Sequence, residues 1–369
     1  MNENNICCIL NYAPHYREEI FLAMEKELKC DFYFGDSTYA NIKKLEYGKF
    51  ENSIKELKFK KLFNHFYLLH GQIKLAFKDY KYYIITGQPY NISSWLLLII
   101  NRLKGKKTYI WNHGWYGNEN VLKKTLKKIQ LKFASGYLLY GNYAKKLMVN
   151  EGFKENKLFV IYNSLFYSKQ LEIREKLSEI SIYKDHFKNN CPTIIFIGRL
   201  TSVKKLDMLL EVMKSSSNKI TLFNLVFVGT GKEKESLEQL VLKYGLKSNV
   251  WFYGDCYNEE KIGELIFNAS ICVSPGNIGL TAIHSLMYGT PSITHDNFTK
   301  QMPEFEVIEK GVTGDFFKEN DIESLKKTIN NWLVKHPKKN DQLIQNCYSI
   351  IDRYYNPKFQ MNLLKNVLQ

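Results

Sequence analysis

The sequence has no run of eighteen or more apolar residues, so nothing in it reads as a helix that spans a bilayer. Its opening, MNENNICCILNYAP, lacks a basic region ahead of the apolar stretch and a small-residue cleavage site. It therefore reads as a first β-strand and not as a secretory leader. No C-x-x-C pair occurs among the seven cysteines. An odd count without paired spacing argues against a disulfide framework and against a zinc site, and fits a reducing cytoplasm. Cys7 and Cys8, adjacent in the first strand, are expected on opposite faces. Internal repeats and low-complexity tracts are absent too. Acidic side chains are the scarce charge: 37 Asp and Glu stand against 52 Lys and Arg, leaving +15. Such an excess draws anionic lipid, phosphorylated substrates or nucleic acid, although a lysine-rich background that merely solvates the surface gives the same count. No nucleic-acid-binding module is recognisable, and nucleic acid is not an expected partner.

What is present is a globular composition, 45% hydrophobic and 24% charged over 369 residues, enough for two buried cores. Short β-branched or aromatic runs alternate with helix-like ones: ICCIL, then YREEIFLAMEKEL, then DFYFG; YKYYIITG, then SSWLLLIINRLK, then KTYIWNHG and GYLLYG. A second such series starts at TIIFIGRL and runs through VFVGTG, VWFYGD and ICVSPG. Strands alternating with helices predict an α/β fold with parallel sheets. The expected organisation is a Rossmann-like domain over 1–167, a polar connection over 168–190, a second Rossmann-like domain over 191–345, and C-terminal helices over 346–369 that pack back on the first domain. Two such halves predict a deep cleft, with ligands at the carboxyl ends of the strands.

Several loops at those strand ends carry candidate chemistry. In FIGRLTSVKK a strand ends at Gly198 and is followed by Arg199 and Lys204, a cation pair suited to clamping a diphosphate. In VFVGTGKEKESLEQL the glycines Gly229 and Gly231 lack the third glycine of a dinucleotide fingerprint, so they read either as a turn near a nucleotide base or simply as a turn. In SPGNIGLTAIHSLMYGTP, Gly276, Asn277 and Gly279 allow close backbone approach, and the amides of Leu280, Thr281 and Ala282 open a helix whose positive end suits phosphate. His284 lies at the edge of that helix's apolar stripe, where it is either a ligand for hydroxyls or a hydrogen-bonded core histidine.

Together, GRL-x-x-x-K, VGTG…LEQLVLKYGL…NVWFYGD, SPG-x-x-GL…GTP and PEFEVIEKGVTGDFF resemble the nucleotide-binding half of the retaining glycosyltransferases with the GT-B fold, the "glycosyl transferases group 1" family. The order and spacing match over roughly 193–317. The resemblance implies transfer of a sugar from a nucleotide-sugar, with retention, without a catalytic metal and with no cofactor beyond the nucleotide-sugar itself. It implies that Arg199 and Lys204 hold the donor diphosphate, that Gly198 and the turn from Gly276 to Thr281 line the donor, and that Glu304 of the PE segment lies near it. The family pattern has two glutamates separated by seven residues. Here those positions are Gly276 and His284. The second glutamate of the family holds the ribose diol, so His284 is the candidate for that contact, while the sugar contact falls to Asn277, Glu304 or backbone.

In the first half, YIWNHGWYGN places His113 and Gly114 after a strand, where the resemblance implies a histidine that reaches the transferred sugar. His15 and Arg17 after the first strand, and Thr86 and Gly87 in ITGQP, are candidate acceptor contacts. Eight lysines between Lys104 and Lys132 suggest contact with an anionic membrane at the inner face of the cell, whereas the neighbouring SSWLLLIINRLK reads as an ordinary buried helix. The resemblance implies a glycan or lipid-linked acceptor and bacterial surface polysaccharide synthesis. A catalytically silent relative and a sugar-nucleotide epimerase remain the alternatives, the first because both glutamates are replaced.

Overall fold

The computed structural model describes residues 5–36, 43–52, 54–215 and 223–368; the first four residues of the opening stretch lie outside them. The chain forms two compact units, Met1–Phe166 together with Tyr355–Gln369, and Tyr167–Tyr354.

The first unit is built on a seven-stranded sheet. Its order in space is Lys55–Leu57, Cys30–Gly35, Ile6–Leu10, Tyr82–Ile85, Lys107–Asn112, Gly136–Leu139, Leu158–Val160. Every pairing in it is parallel. The central parallel strands are covered on both faces, which is why Ile6–Leu10 and Tyr82–Ile85 are buried and apolar throughout. Alternate residues enter different cores: Ile6, Cys8 and Leu10 lie on one face, Cys7 and Ile9 on the other. All seven cysteines are free thiols.

The second unit carries six parallel strands in the order Val250–Gly254, Asn224–Val228, Thr193–Ile197, Ile271–Val273, Ser292–His295, Gly314–Phe317. In sequence terms this is 3-2-1-4-5-6, the order of dinucleotide-binding sheets. Ile194 and Phe196 face one core, Ile195 and Ile197 the other. Burying each such side chain contributes about 1.5–3 kcal/mol.

Two boundaries differ from those expected. The stretch 168–190, expected as a connection with some helix, does hold the helices Tyr167–Arg174 and Ile182–Phe187, and these belong to the second unit. Arg174 grips Asp352 with two bonds of 2.9 Å, which fastens the Asp341–Tyr354 helix to that unit as well. Only the last helix, Pro357–Val367, belongs to the first unit. There the Tyr109 hydroxyl donates to the Val367 carbonyl at 2.9 Å and Lys365 pairs with Glu27. Asn356 caps this helix on the Phe359 amide, with proline at the first position, where its missing N–H costs nothing.

Candidate active site

The strand order of the second unit reverses between Thr193–Ile197 and Ile271–Val273, which are hydrogen-bonded neighbours. Loops leaving adjacent strands at such a reversal diverge and leave room for a ligand. The loop with Arg199 and Lys204 leaves the first of these strands; the turn from Ser274 to Gly279 leaves the second. They are in direct contact. The Lys204 ammonium donates to the Asn277 carbonyl at 2.6 Å and to Asn277 Oδ1 at 2.8 Å, and the Gly276 amide donates to the Lys204 carbonyl at 2.8 Å. Gly276 is buried, and a Cβ there would lie 1.9 Å from the Val203 carbonyl oxygen. What approaches this glycine is therefore the Lys204 loop itself. That contact supplies a physical reason for the missing carboxylate, since no side chain fits at 276.

Gly279 follows with φ +58°, a conformation that favours glycine, and the Leu280–Met287 helix begins. The Ala282 amide donates to the Gly279 carbonyl at 3.0 Å, contrary to its expected availability, so the opening amides are those of Leu280 and Thr281. Thr281 Oγ1 donates to the Ile197 carbonyl at 2.9 Å and lies beside Gly198. Two residues not singled out in the sequence hold the turn from below. Thr294 Oγ1 reaches the Ser274 and Gly276 carbonyls at 2.9 Å each, and Gln301 accepts from the Ile278 amide at 3.0 Å while donating to Thr294.

Arg199 is exposed and makes no hydrogen bond or ion pair among the described residues. Lys204 is different. Burial first, then the nearby Arg199 charge, pull its ammonium down to about 8, against the opposing pull of Glu304. Glu304 is buried, on the short Pro303–Val307 turn. Gly229 and Gly231 sit in tight loop packing: a Cβ at Gly229 would meet the Gly198 carbonyl oxygen, and one at Gly231 the Leu200 carbonyl oxygen, each at 2.1 Å. They seat one strand-end loop against the other.

His284 Nε2 is 2.7 Å from Glu259 Oε1. The same oxygen accepts from the Tyr288 hydroxyl at 2.8 Å and from Gln170 Nε2 at 2.7 Å. Burial would raise the Glu259 carboxyl, but the His284 charge and these three bonds outweigh it and hold the group at about 2. A carboxylate thus does sit beside position 284, contributed by the first residue of the Glu259–Asn268 helix. Nothing in the spacing of the sequence signals this pair, because its members lie 25 residues apart on different helices.

In the first unit, Thr86 and Asn11 close the reversal between Ile6–Leu10 and Tyr82–Ile85, with the Asn11 amide donating to Thr86 Oγ1 at 3.1 Å. Gly87 and Gly114 have φ of +61° and +65°, and a Cβ on them would strike Ile110 and Leu139. His113 is half-buried, its ring 4.9 Å from that of Tyr140 and 5.8 Å from that of Tyr116. Burial, then the charges of Arg17 and Lys127, lower it to about 4, so it is neutral near pH 7. Arg17 is buried against Trp111 and donates to the Tyr140 hydroxyl. His15 lies apart from this group in its contacts, with Nδ1 3.1 Å from the Lys43 carbonyl. Several members of the lysine cluster are engaged internally. Lys127 braces the His113 loop through the Gly114 carbonyl and Glu119, both at 2.8 Å, and Lys124 and Lys128 pair with Glu151.

Residues 179–349 match the sequence model of the family "Glycosyl transferases group 1". An uncharacterised 41.2 kDa protein of the cps region of Klebsiella pneumoniae is 29% identical over 194 residues, which span 51% of this chain and 49% of that protein. The match thus covers about half the length of that curated relative. Among solved structures, the lipopolysaccharide outer core galactosyltransferase WaaB superposes with a TM-score of 0.70 at 14% identity, covering 98% of this chain and 99% of that one. HepE of Anabaena, solved with UDP, gives 0.73 at 14% identity with 99% of each chain covered. At such identities the likeness concerns the fold, and the fold is GT-B. With a sheet reversal that brings a glycine-rich turn onto a half-buried lysine, on the GT-B fold those proteins share, residues 179–349 of the second unit are similar to the glycosyl transferases group 1 family.

Proposed function

We propose that the chain transfers a sugar from a nucleotide-diphosphate donor to a glycan or lipid-linked acceptor, with retention of configuration and without a catalytic metal, in the assembly of a bacterial surface polysaccharide on the cytoplasmic side. The observation that carries this reading is Lys204. It is a half-buried cation whose ammonium rests on Asn277, in the turn that leads into the Leu280–Met287 helix, with the exposed Arg199 on the same loop. Positive charge gathered there suits a diphosphate, and it suits one best when negative charge develops on the leaving group. The incoming hydroxyl would attack on the face the diphosphate leaves, and a diphosphate oxygen would take its proton. No carboxylate base is then needed at position 276. His284, oriented by Glu259, would meet hydroxyls of the donor through its Nδ1. His113 would act as a neutral hydrogen-bonding group toward the sugar, with Arg17 and Thr86 on the acceptor side. The cps-region relative and the lipopolysaccharide transferase support the polysaccharide setting.

The test is a thermal-shift screen against uridine, guanosine and thymidine diphosphates, followed by NMR of the matching nucleotide-sugar incubated with the protein. A ligand that binds only the folded chain raises its melting temperature. The expected result is one preferred base and slow donor hydrolysis whose first product keeps the donor's anomeric configuration. An inverted anomer or an epimerised sugar refutes the retaining transferase; binding without any turnover favours the silent relative.

A further inference from the structure

We infer that the outward faces of the Ile92–Leu103 and Val121–Lys132 helices form one surface that docks on an anionic lipid bilayer. The first helix is inside out. Its buried residues are Ser93, Ser94, Leu97, Leu98 and Asn101, more polar than apolar. The polar ones have partners: Ser93 Oγ donates to Gln72 Oε1 at 2.6 Å, Ser94 Oγ accepts from Gln72 Nε2 at 3.1 Å, and Asn101 donates to Thr108 at 3.0 Å. The opposite stripe holds Ile92, Leu96, Ile99 and Leu103, at spacings of four, three and four; Leu96 is 43% exposed and Leu103 83%. A helix bounded by water on that side would be arranged the other way round. The helix is buried along one face, where Leu97 and Leu98 join the core, while on the opposite stripe Leu96 and Leu103 are exposed and Ile92 and Ile99 half-buried.

The second helix repeats the feature. Val121, Leu122 and Ile129 are exposed on its outer side, at 81%, 71% and 44%. The two helices meet, with Arg102 donating to the Lys132 carbonyl at 2.7 Å. Lys104 lies 4.4 Å above the ring of exposed Phe77, which extends the patch past the end of the first helix. Exposed apolar side chains gathered on two touching helices mark an interaction site more than leucines scattered singly over a surface.

The charge around the patch selects the occupant. Residues 102–132 contain nine Lys and Arg and one acidic residue, Glu119, which is paired with Lys127. Lys123 and Lys132 form no ion pair among the described residues. A second copy docked through the same face about a two-fold axis would bring these cations against their own equivalents. Anionic headgroups would neutralise them, while the leucines and isoleucines sink to the acyl boundary and the lysine stems lie along it.

The experiment is vesicle sedimentation of the full chain on pure phosphatidylcholine and on phosphatidylcholine with about a quarter phosphatidylglycerol, at low and at high salt. Exposed Lys104 and Lys132, with half-buried Lys123, predict partitioning onto the anionic vesicles at least tenfold stronger than onto neutral ones, on the order of fivefold per cation. Leu96→Ser with Leu103→Ser and Leu122→Ser, and separately Lys104→Glu with Lys123→Glu and Lys132→Glu, should each lower it by about tenfold or more. Far-UV circular dichroism melts, unchanged in both variants, would report that they are folded. Equal partitioning onto both vesicles, no binding, or binding by the leucine variant as strong as the parent's overturns the inference. So does sedimentation velocity that shows a dimer which the leucine variant abolishes, since a second copy would then own the face. None of these readouts uses sugar transfer, so the outcome is independent of the donor reading.

Discussion

Lys204 makes the donor site sensitive to pH in a way that can be worked out. Its ammonium is held at about 8 in the free protein by burial and by Arg199. If only the charged form grips the diphosphate, the apparent dissociation constant scales as one plus ten to the power of pH minus 8. Between pH 7 and pH 9.5 the affinity for a nucleoside diphosphate should fall about thirtyfold. The phosphate groups are already ionised over this range, with a second pKa near 6, so the ligand's own charge does not account for the loss. Stability should move in the opposite direction. A lysine whose pKa is lowered in the folded state destabilises it below about pH 8, and that penalty is relieved as pH rises from 8 toward 10.5, by up to about 3 kcal/mol. Isothermal titration calorimetry across pH, with thermal melts in the same buffers, measures both. Lys204→Met should bind weakly at every pH and lose the slope. Wild-type affinity that stays flat from pH 7 to 9.5, or a Lys204→Met variant that keeps the slope, refutes the reasoning.

Four further predictions concern single positions. Gly276→Ala should cost at least 2–3 kcal/mol because its Cβ lands on the Val203 carbonyl, lowering the melting temperature of the second unit by roughly 5–10 °C; an unchanged melt would mean that the two loops are not in contact. Glu259→Gln should remove stability that is present above about pH 4.5 and lost toward pH 2, on the order of 2–3 kcal/mol, so its acid-unfolding curve should be flatter than the parent's. If His284 contacts donor hydroxyls, His284→Ala should raise the donor KM about fivefold with kcat little changed, whereas unaltered kinetics would assign the residue to packing. His113, neutral near pH 7 and lowered to about 4, should leave no inflection near pH 6.5 in the pH–rate profile; an inflection there that His113→Gln abolishes would contradict its burial.

Much of the architecture was legible because parallel strands announce themselves as uninterrupted β-branched runs. ICCIL and TIIFI are strands, and Arg199 and Lys204 follow the second of them. At Gly229, Gly231 and Gly276 the sequence did not reveal that another loop's carbonyl packs on each glycine, a constraint that comes from residues far off in the chain. The partnership of His284 with Glu259 was hidden for the same reason. In the Ile92–Leu103 helix the apolar content was plain, but the buried face was not legible, since three polar residues on one stripe look like a solvated side until Gln72 and Thr108 are seen to satisfy them. The 168–190 stretch reads as a linker by its polarity, yet Arg174 and Asp352 anchor it.

The return of the Pro357–Val367 helix to the first unit bears on how the chain is made. The second unit is one uninterrupted piece, so on a ribosome it can close as soon as Tyr354 has emerged. The first unit, although it leads the sequence, must wait for the final helix to cover Tyr109 and the strands around it. The half synthesised first is therefore completed last, and a chaperone that guards nascent chains would find its client at the beginning of the sequence, not at the end.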